Sequence, residues 1–76
     1  MNTIYHIDSF LGKIQLEEVD RLETPMGVKS IYRNINKKDT NWYLQTSHYQ
    51  NGGFFNGNME TIRQETIDRI KKLDIQ

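Results

Sequence analysis

The stretch Asn51-Gly52-Gly53-Phe54-Phe55-Asn56-Gly57-Asn58 decides the reading of the fold, because it separates two kinds of sequence. Before it, apolar and polar residues alternate and β-branched and aromatic types are frequent, the pattern of half-buried strands. After it, Met59, Ile62, Thr66, Ile70 and Leu73 recur at three- and four-residue spacings, with Ile67 at the margin of the stripe. That spacing is the signature of an amphipathic helix. Asn58 is placed to accept from the free N–H groups of the first turn, the N-cap role. Glu60 in that turn, and Lys71 and Lys72 in the last, complement the helix dipole. Glu65–Arg69 and Asp68–Lys72 make favourable i,i+4 pairs, each worth ~0.2–0.5 kcal/mol. The pattern predicts sheet over residues 3–56 and helix over residues 59–74.

Upstream, Thr3 to Phe10 reads as a strand, Leu11-Gly12-Lys13 as a tight turn, and Ile14 to Leu16 as resumed alternation. Leu16, Val19 and Leu22 then recur every third residue, which fits a short helix or a bulged strand; the strand is favoured. In Thr24-Pro25-Met26-Gly27, proline presets φ for the first corner of a β-turn and glycine supplies freedom after it. This predicts a hairpin into Val28 to Ile35. Neither face of that segment is cleanly apolar, so both of its sides are expected to meet something. Asn36 to Asn41 is a polar loop, Trp42 to Tyr49 a strand, Gln50 to Gly53 a turn and Phe54-Phe55 a short last strand. The expected class is α+β. A small, meander-like antiparallel sheet of four to five strands packs on one C-terminal α-helix, as one domain over residues 1–76.

Seventy-six residues allow one small core. Such a chain buries only roughly 60–65% of its unfolded surface, and domains of this size often add a disulfide, a metal or a partner. There is no cysteine, which removes disulfides and the usual structural zinc together. The N-terminal residues show no basic leader and no apolar run of signal-peptide length, and no segment approaches the ~20 apolar residues of a membrane span. A cytoplasmic, non-membrane protein is expected on that basis, with homo-oligomerisation left open. Net charge is zero but uneven. Residues 1–26 set two basic against five acidic residues, and residues 27–58 set four basic against one acidic, which fits a polarised sheet with one acidic and one basic end, or ordinary solvated strand edges and turns.

Catalytic patterns are scarce. Ser47 and His48 are adjacent, so on a strand they point to opposite faces and form no nucleophile–base pair. His6 and Asp8 share a strand face, which is more often a surface contact than chemistry. A metal site would need His6, Asp8 and His48 to converge, and their spacing does not suggest it. No catalytic residue, metal or cofactor is therefore assigned. Gly52, Gly53, Asn56, Gly57 and Asn58 form a candidate anion- or ligand-binding loop ahead of the helix, although the phosphate-loop lysine and hydroxyl are missing.

The richest constellation is the middle block. Lys29, Tyr32, Arg33, Lys37, Lys38, Trp42, Tyr43, His48 and Tyr49 interleave cations and aromatics on two neighbouring strands and their loop. Cations bind phosphates and aromatic faces stack on bases. The order of elements over the last fifty residues resembles the three-stranded-sheet-plus-helix DNA-binding domains of a class of plant transcription factors and of integrase amino-terminal arms. The likeness covers element order and carries no residue role across. Zero net charge weighs against strong nucleic-acid binding, whose affinity rests on phosphate neutralisation. Aromatics and arginine among mixed charges equally serve as protein-interface anchors.

The sequence thus points first to a small non-enzymatic protein-binding module acting on a larger protein. Its Asn-, Lys- and Ile-rich style suits a phage or mobile-element inhibitor or modulator of a host protein. A DNA-binding sheet built on residues 29–49 is the alternative, and nucleotide capture in a homodimer cleft the third reading. If the DNA-binding alternative holds, Arg33→Ala and Lys38→Ala each weaken DNA binding and flatten its salt dependence. Unchanged affinity and salt slope in both variants remove it.

Overall fold

A computed structural model of the chain describes residues 2–74, and the side chains of residues 2–72. Five strands run in order: β1 (Thr3–Asp8), β2 (Gly12–Thr24), β3 (Gly27–Asn34), β4 (Trp42–Gln50) and β5 (Gly53–Ile62). One helix follows, α1 (Gln64–Asp74). All four pairings are antiparallel and the strand order is sequential, so the sheet is the expected meander. No helix among the described residues is long and apolar enough to cross a membrane.

Local chemistry sets the connections. Asn51 (φ 50°) and Gly52 (φ 79°) fill the two-residue turn between β4 and β5 with positive φ at both corners. That is the hairpin turn whose twist matches the flanking strands, and Asn-Gly is its preferred dipeptide. The β2–β3 turn carries Pro25 instead. There the Thr24 hydroxyl accepts from the N–H of Gly27 (3.1 Å) and of Met26 (3.3 Å). Residues 16–23 are strand with an irregularity at Val19, which shifts the register between Glu18 and Asp20. The bulge leaves Leu16 on one face of the sheet and Leu22 on the other, which explains their three-residue spacing.

The sheet curls into a half-barrel, bringing the end of β1 against β5: the Thr61 hydroxyl lies 3.4 Å from the Asp8 carboxylate. Side chains therefore divide into a hollow and an outer face. In the hollow, Leu16, Tyr32 and Tyr43 are buried together, with Ile4, Ile14 and Met59 packed around them. On the outer face, Ile31, Leu44 and Ile67 are buried, flanked by Leu22, Trp42, Ile62 and Ile70. β3 lies at the centre of both clusters, and six of its eight residues are buried. The segment with no clean apolar face is thus the one that needs none, because both of its faces are covered.

The last third of the chain differs from the sequence reading. The final strand is not Phe54-Phe55 but runs to Ile62, and the helix starts at Gln64 rather than Met59. Asn58 lies inside β5 and caps nothing. The N–H groups of Thr66 and Ile67 instead reach the Arg63 carbonyl at 3.0 and 3.3 Å. Pairing with β4 explains the extension. Met59 opposes Gln45 and faces the hollow, while Ile62 opposes Trp42 and faces the helix, so each fills a different core. Gly57 makes this pairing fit at a register shift, since a Cβ there would stand 2.2 Å from the Thr46 carbonyl oxygen. The helical stripe turns accordingly. Ile67, expected at its margin, is fully buried, and the side chain of Leu73 lies outside the described residues. Neither expected i,i+4 ion pair is formed among them; Asp68 accepts from the Gln64 amide at 2.9 Å instead.

Ile67→Ala should destabilise the protein by about 2–5 kcal/mol, because it empties the centre of the outer core. Asn58→Ala should change stability by less than about 0.5 kcal/mol, whereas a lost N-cap would cost about 1 kcal/mol. Urea denaturation of the two variants measures both.

Candidate functional site

The two ends of the half-barrel differ. At the end holding the β1–β2 turn and the β3–β4 loop, polar groups line a pocket of about 700 Å³ and tie the turn and the loop to the sheet. The Asp8 carboxylate accepts from the N–H groups of Leu11 (2.8 Å) and Phe10 (2.9 Å), fixing the turn. Asp39 accepts from the Asn34 amide (3.0 Å), from the N–H of Asn41 (3.0 Å) and, in a short bond, from the Tyr43 hydroxyl. Tyr43 is fully buried, so this carboxylate ties the β3–β4 loop to the floor of the hollow. The Leu11 and Phe10 N–H bonds hold the Asp8 carboxyl below the ordinary aspartate range, against the opposing effect of its burial. For Asp39 burial pushes upward, but the bonds from Tyr43, Asn34 and Asn41 prevail and the net shift is down. Burial, then Asp39, pushes the Tyr43 hydroxyl far above its ordinary value.

The opposite end, where the β2–β3 and β4–β5 turns meet, is open and carries the candidate site. Inside it lies a polar cleft of about 600 Å³, walled by Glu18, Arg21, Ser30, Tyr32, Gln45 and Ser47 and rimmed by Ile4, Val28 and Phe54. Ser30 and Ser47 are both more than nine-tenths buried. Ser47 donates to Asn56 Oδ1 at 2.9 Å and the Gln45 amide donates to the Gly57 carbonyl at 3.1 Å. Burial, then the Glu18 carboxylate, pushes the Tyr32 hydroxyl up and keeps it protonated. Across the ends of β3 and β4 runs a second, mainly apolar groove of about 790 Å³, lined by residues 24–29 and 46–50. Of its lining, Met26 (80%) and Tyr49 (58%) are exposed, and Phe54 and Phe55 are exposed on the adjoining β5. Tyr49 and Phe54 pair across the strands at 5.1 Å between ring centroids, and His48 and Phe55 at 6.0 Å.

The basic-aromatic block does not form one surface. Tyr32 and Tyr43 point into the hollow and are core. Arg33 and Trp42 sit side by side on the outer face, with the guanidinium 4.0 Å from the indole ring. The indole N–H donates to Gln64 at 2.8 Å, so this pair braces the start of the helix. Lys37 and Lys38 are exposed in the β3–β4 loop, and Lys37 lies 3.7 Å from Glu17. Lys29 is half-buried on the outer face, while His48 and Tyr49 belong to the open end.

The acidic and basic segments are direct sheet neighbours rather than poles, since Glu17 opposes Arg33 and Leu22 opposes Lys29. In the proposed ligand loop, Gly52 is a turn residue and Gly53, Asn56, Gly57 and Asn58 are strand residues. The helix N-terminus is elsewhere, so these residues form no loop-to-helix junction. His6 and Asp8 share the hollow face, with His6 edge-on to Tyr43 at 6.0 Å. Ser47 and His48 point apart as expected, Ser47 buried and His48 exposed.

The cleft residues Glu18, Arg21, Ser30 and Gln45, and the groove residue Met26, escaped the sequence reading. Polar residues recur at every second position of 43–47, and the Asn51-Gly52 turn fixes their register with β5. Those two signals could have placed Gln45 and Ser47 in one wall. The β2 residues follow only from the bulge. Comparisons with protein-family models, curated proteins and solved structures gave no match.

The two aspartates make stability pH-dependent. A carboxyl whose folded pKa is depressed adds stability that is complete above its unfolded value, about 3.9, and is lost as pH falls through the folded value. Urea unfolding should therefore show a falling acid limb below about pH 4. Asp39→Asn should flatten that limb; a limb as steep as that of the parent chain shows that Asp39 does not contribute to it.

Proposed function

We propose that this chain is a small non-enzymatic protein-binding module that docks through the apolar groove at its open end and modulates a larger partner. One observation carries the reading: Met26 and Tyr49 line that groove and are exposed, and Phe54 and Phe55 on the neighbouring strand are exposed as well. A monomer of this size gains little by leaving four large apolar side chains in water at one place, and such patches mark interaction surfaces. Geometry accounts for their exposure. Helix α1 has eleven residues, ~16 Å, and its apolar side packs on Ile31, Leu44, Leu22, Trp42 and Ile62. That leaves the ends of β3 and β4 beyond it uncovered. Aromatic and methionine side chains in a preformed concavity are the anchors protein interfaces favour.

The DNA-binding alternative ranks behind this reading. Arg33 is engaged by Trp42, Lys37 lies near Glu17, and the remaining cations are spread over two faces and a loop. The third reading, nucleotide capture in a homodimer cleft near residues 52–58, lacks the loop-to-helix junction it needed, because residues 53–58 lie in β5; a homodimer through the groove is a separate case.

The test is capture of a partner by the tagged protein from nuclease-treated lysate, run beside Met26→Asp and Tyr49→Ser, with circular dichroism to confirm folding. A stoichiometric protein held by the parent chain and lost by both variants supports the reading. A partner retained by both folded variants, or one that disappears with nuclease treatment, overturns it. Sedimentation separates the homodimer: concentration-dependent self-association abolished by Met26→Asp would make a second copy the occupant.

A further inference from the structure

The groove lies outside the sheet, and the hollow behind it has a different chemistry. We infer that the polar cleft at the open end of the hollow binds a neutral saccharide ring.

Charge narrows the ligand first. Glu18 and Arg21 contribute one charge of each sign to the wall, so the cleft offers no net positive field to a nucleotide or another anion. Arg21 also lies 3.5 Å from Glu23, which competes for it with any single carboxylate, as of an amino acid. Hydrogen-bonding capacity narrows it further. Ser30, Tyr32, Gln45 and Ser47 all line the cleft, and hydroxyls and amides both donate and accept. A ligand that does the same at several adjacent positions, as ring hydroxyls do, matches such a wall; an ammonium only donates and a carboxylate only accepts.

The wall is preorganised as well. Gln45 is held by the Gly57 carbonyl and Ser47 by Asn56, and among the described residues no buried side-chain polar atom lacks a partner. Each of those two bonds uses one end of an amide and leaves the other for a ligand. Little side-chain ordering then remains to oppose binding. Finally, Phe54 and Val28 at the rim give the C–H face of a ring apolar contact. The cleft, about 600 Å³, lies within the ordinary range of small-molecule sites.

Titration of the ¹⁵N-labelled protein with a panel of neutral mono- and disaccharides tests this, with an α-amino acid and a nucleoside monophosphate as parallel arms. Amide shifts centred on Glu18, Ser30, Gln45 and Ser47 that saturate in the millimolar range or below support the site. Gln45→Ala and the gentler Ser30→Ala should each weaken that binding about tenfold, as loss of a hydrogen bond does, with the rest of the spectrum retained. The inference is overturned if no saccharide moves those amides, if the moved amides lie elsewhere, or if either parallel arm moves them more strongly.

Discussion

Everything in this structure depends on the packing of Leu16, Tyr32 and Tyr43 inside the curl of the sheet. A flat five-stranded sheet with one short helix would leave one face in water, and a chain of this length has no second layer to cover it. Curling solves the problem by making the sheet its own cover. The consequence is two thin cores, one on each side of β3, in place of one thick core. Neither is large, so each fully buried side chain carries an unusual share of the stability. The Tyr43 hydroxyl extends the inner core into a polar seal, because Asp39 gathers Tyr43, Asn34 and the loop backbone around one carboxylate.

The curl also distributes function. One end is braced by the Asp8 and Asp39 networks around a pocket of its own, and the other stays open because β1 is six residues long and β2 thirteen. β1 pairs with residues 12–17, leaving the last part of β2 at a free edge among the described residues. That edge is guarded by charge. The N–H of Arg21 is taken by the Asp20 carboxylate at 2.8 Å, and Arg21 and Glu23 project beside it. Charged side chains on a sheet edge discourage uncontrolled strand pairing. At the open end, the groove and the cleft share only Val28 and Ser47.

Two surfaces of opposite character, back to back through the same strand ends, suit a module that answers two kinds of molecule. The outer one offers desolvation energy to an apolar partner, and the inner one offers directional hydrogen bonds to a polar ligand.

What the sequence alone determined was set by local chemistry: the α+β class, the Pro25 and Asn51-Gly52 turns, and the basic face of the last helical turn. Backbone preferences at turns and two-residue alternation act over a few residues, so they can be read without the fold. Tertiary structure alone decided where the last strand ends. Met59 and Ile62 sit three apart, which satisfies a helix, and equally a strand buried on both faces; only the existence of two cores selects the strand. The same two-sided burial drew Tyr32 and Tyr43 out of the expected binding surface and assembled Glu18, Ser30 and Gln45 into one cleft. Those residues come from three strands whose facing depends on a bulge and a curl, and neither is encoded in the spacing along any single segment.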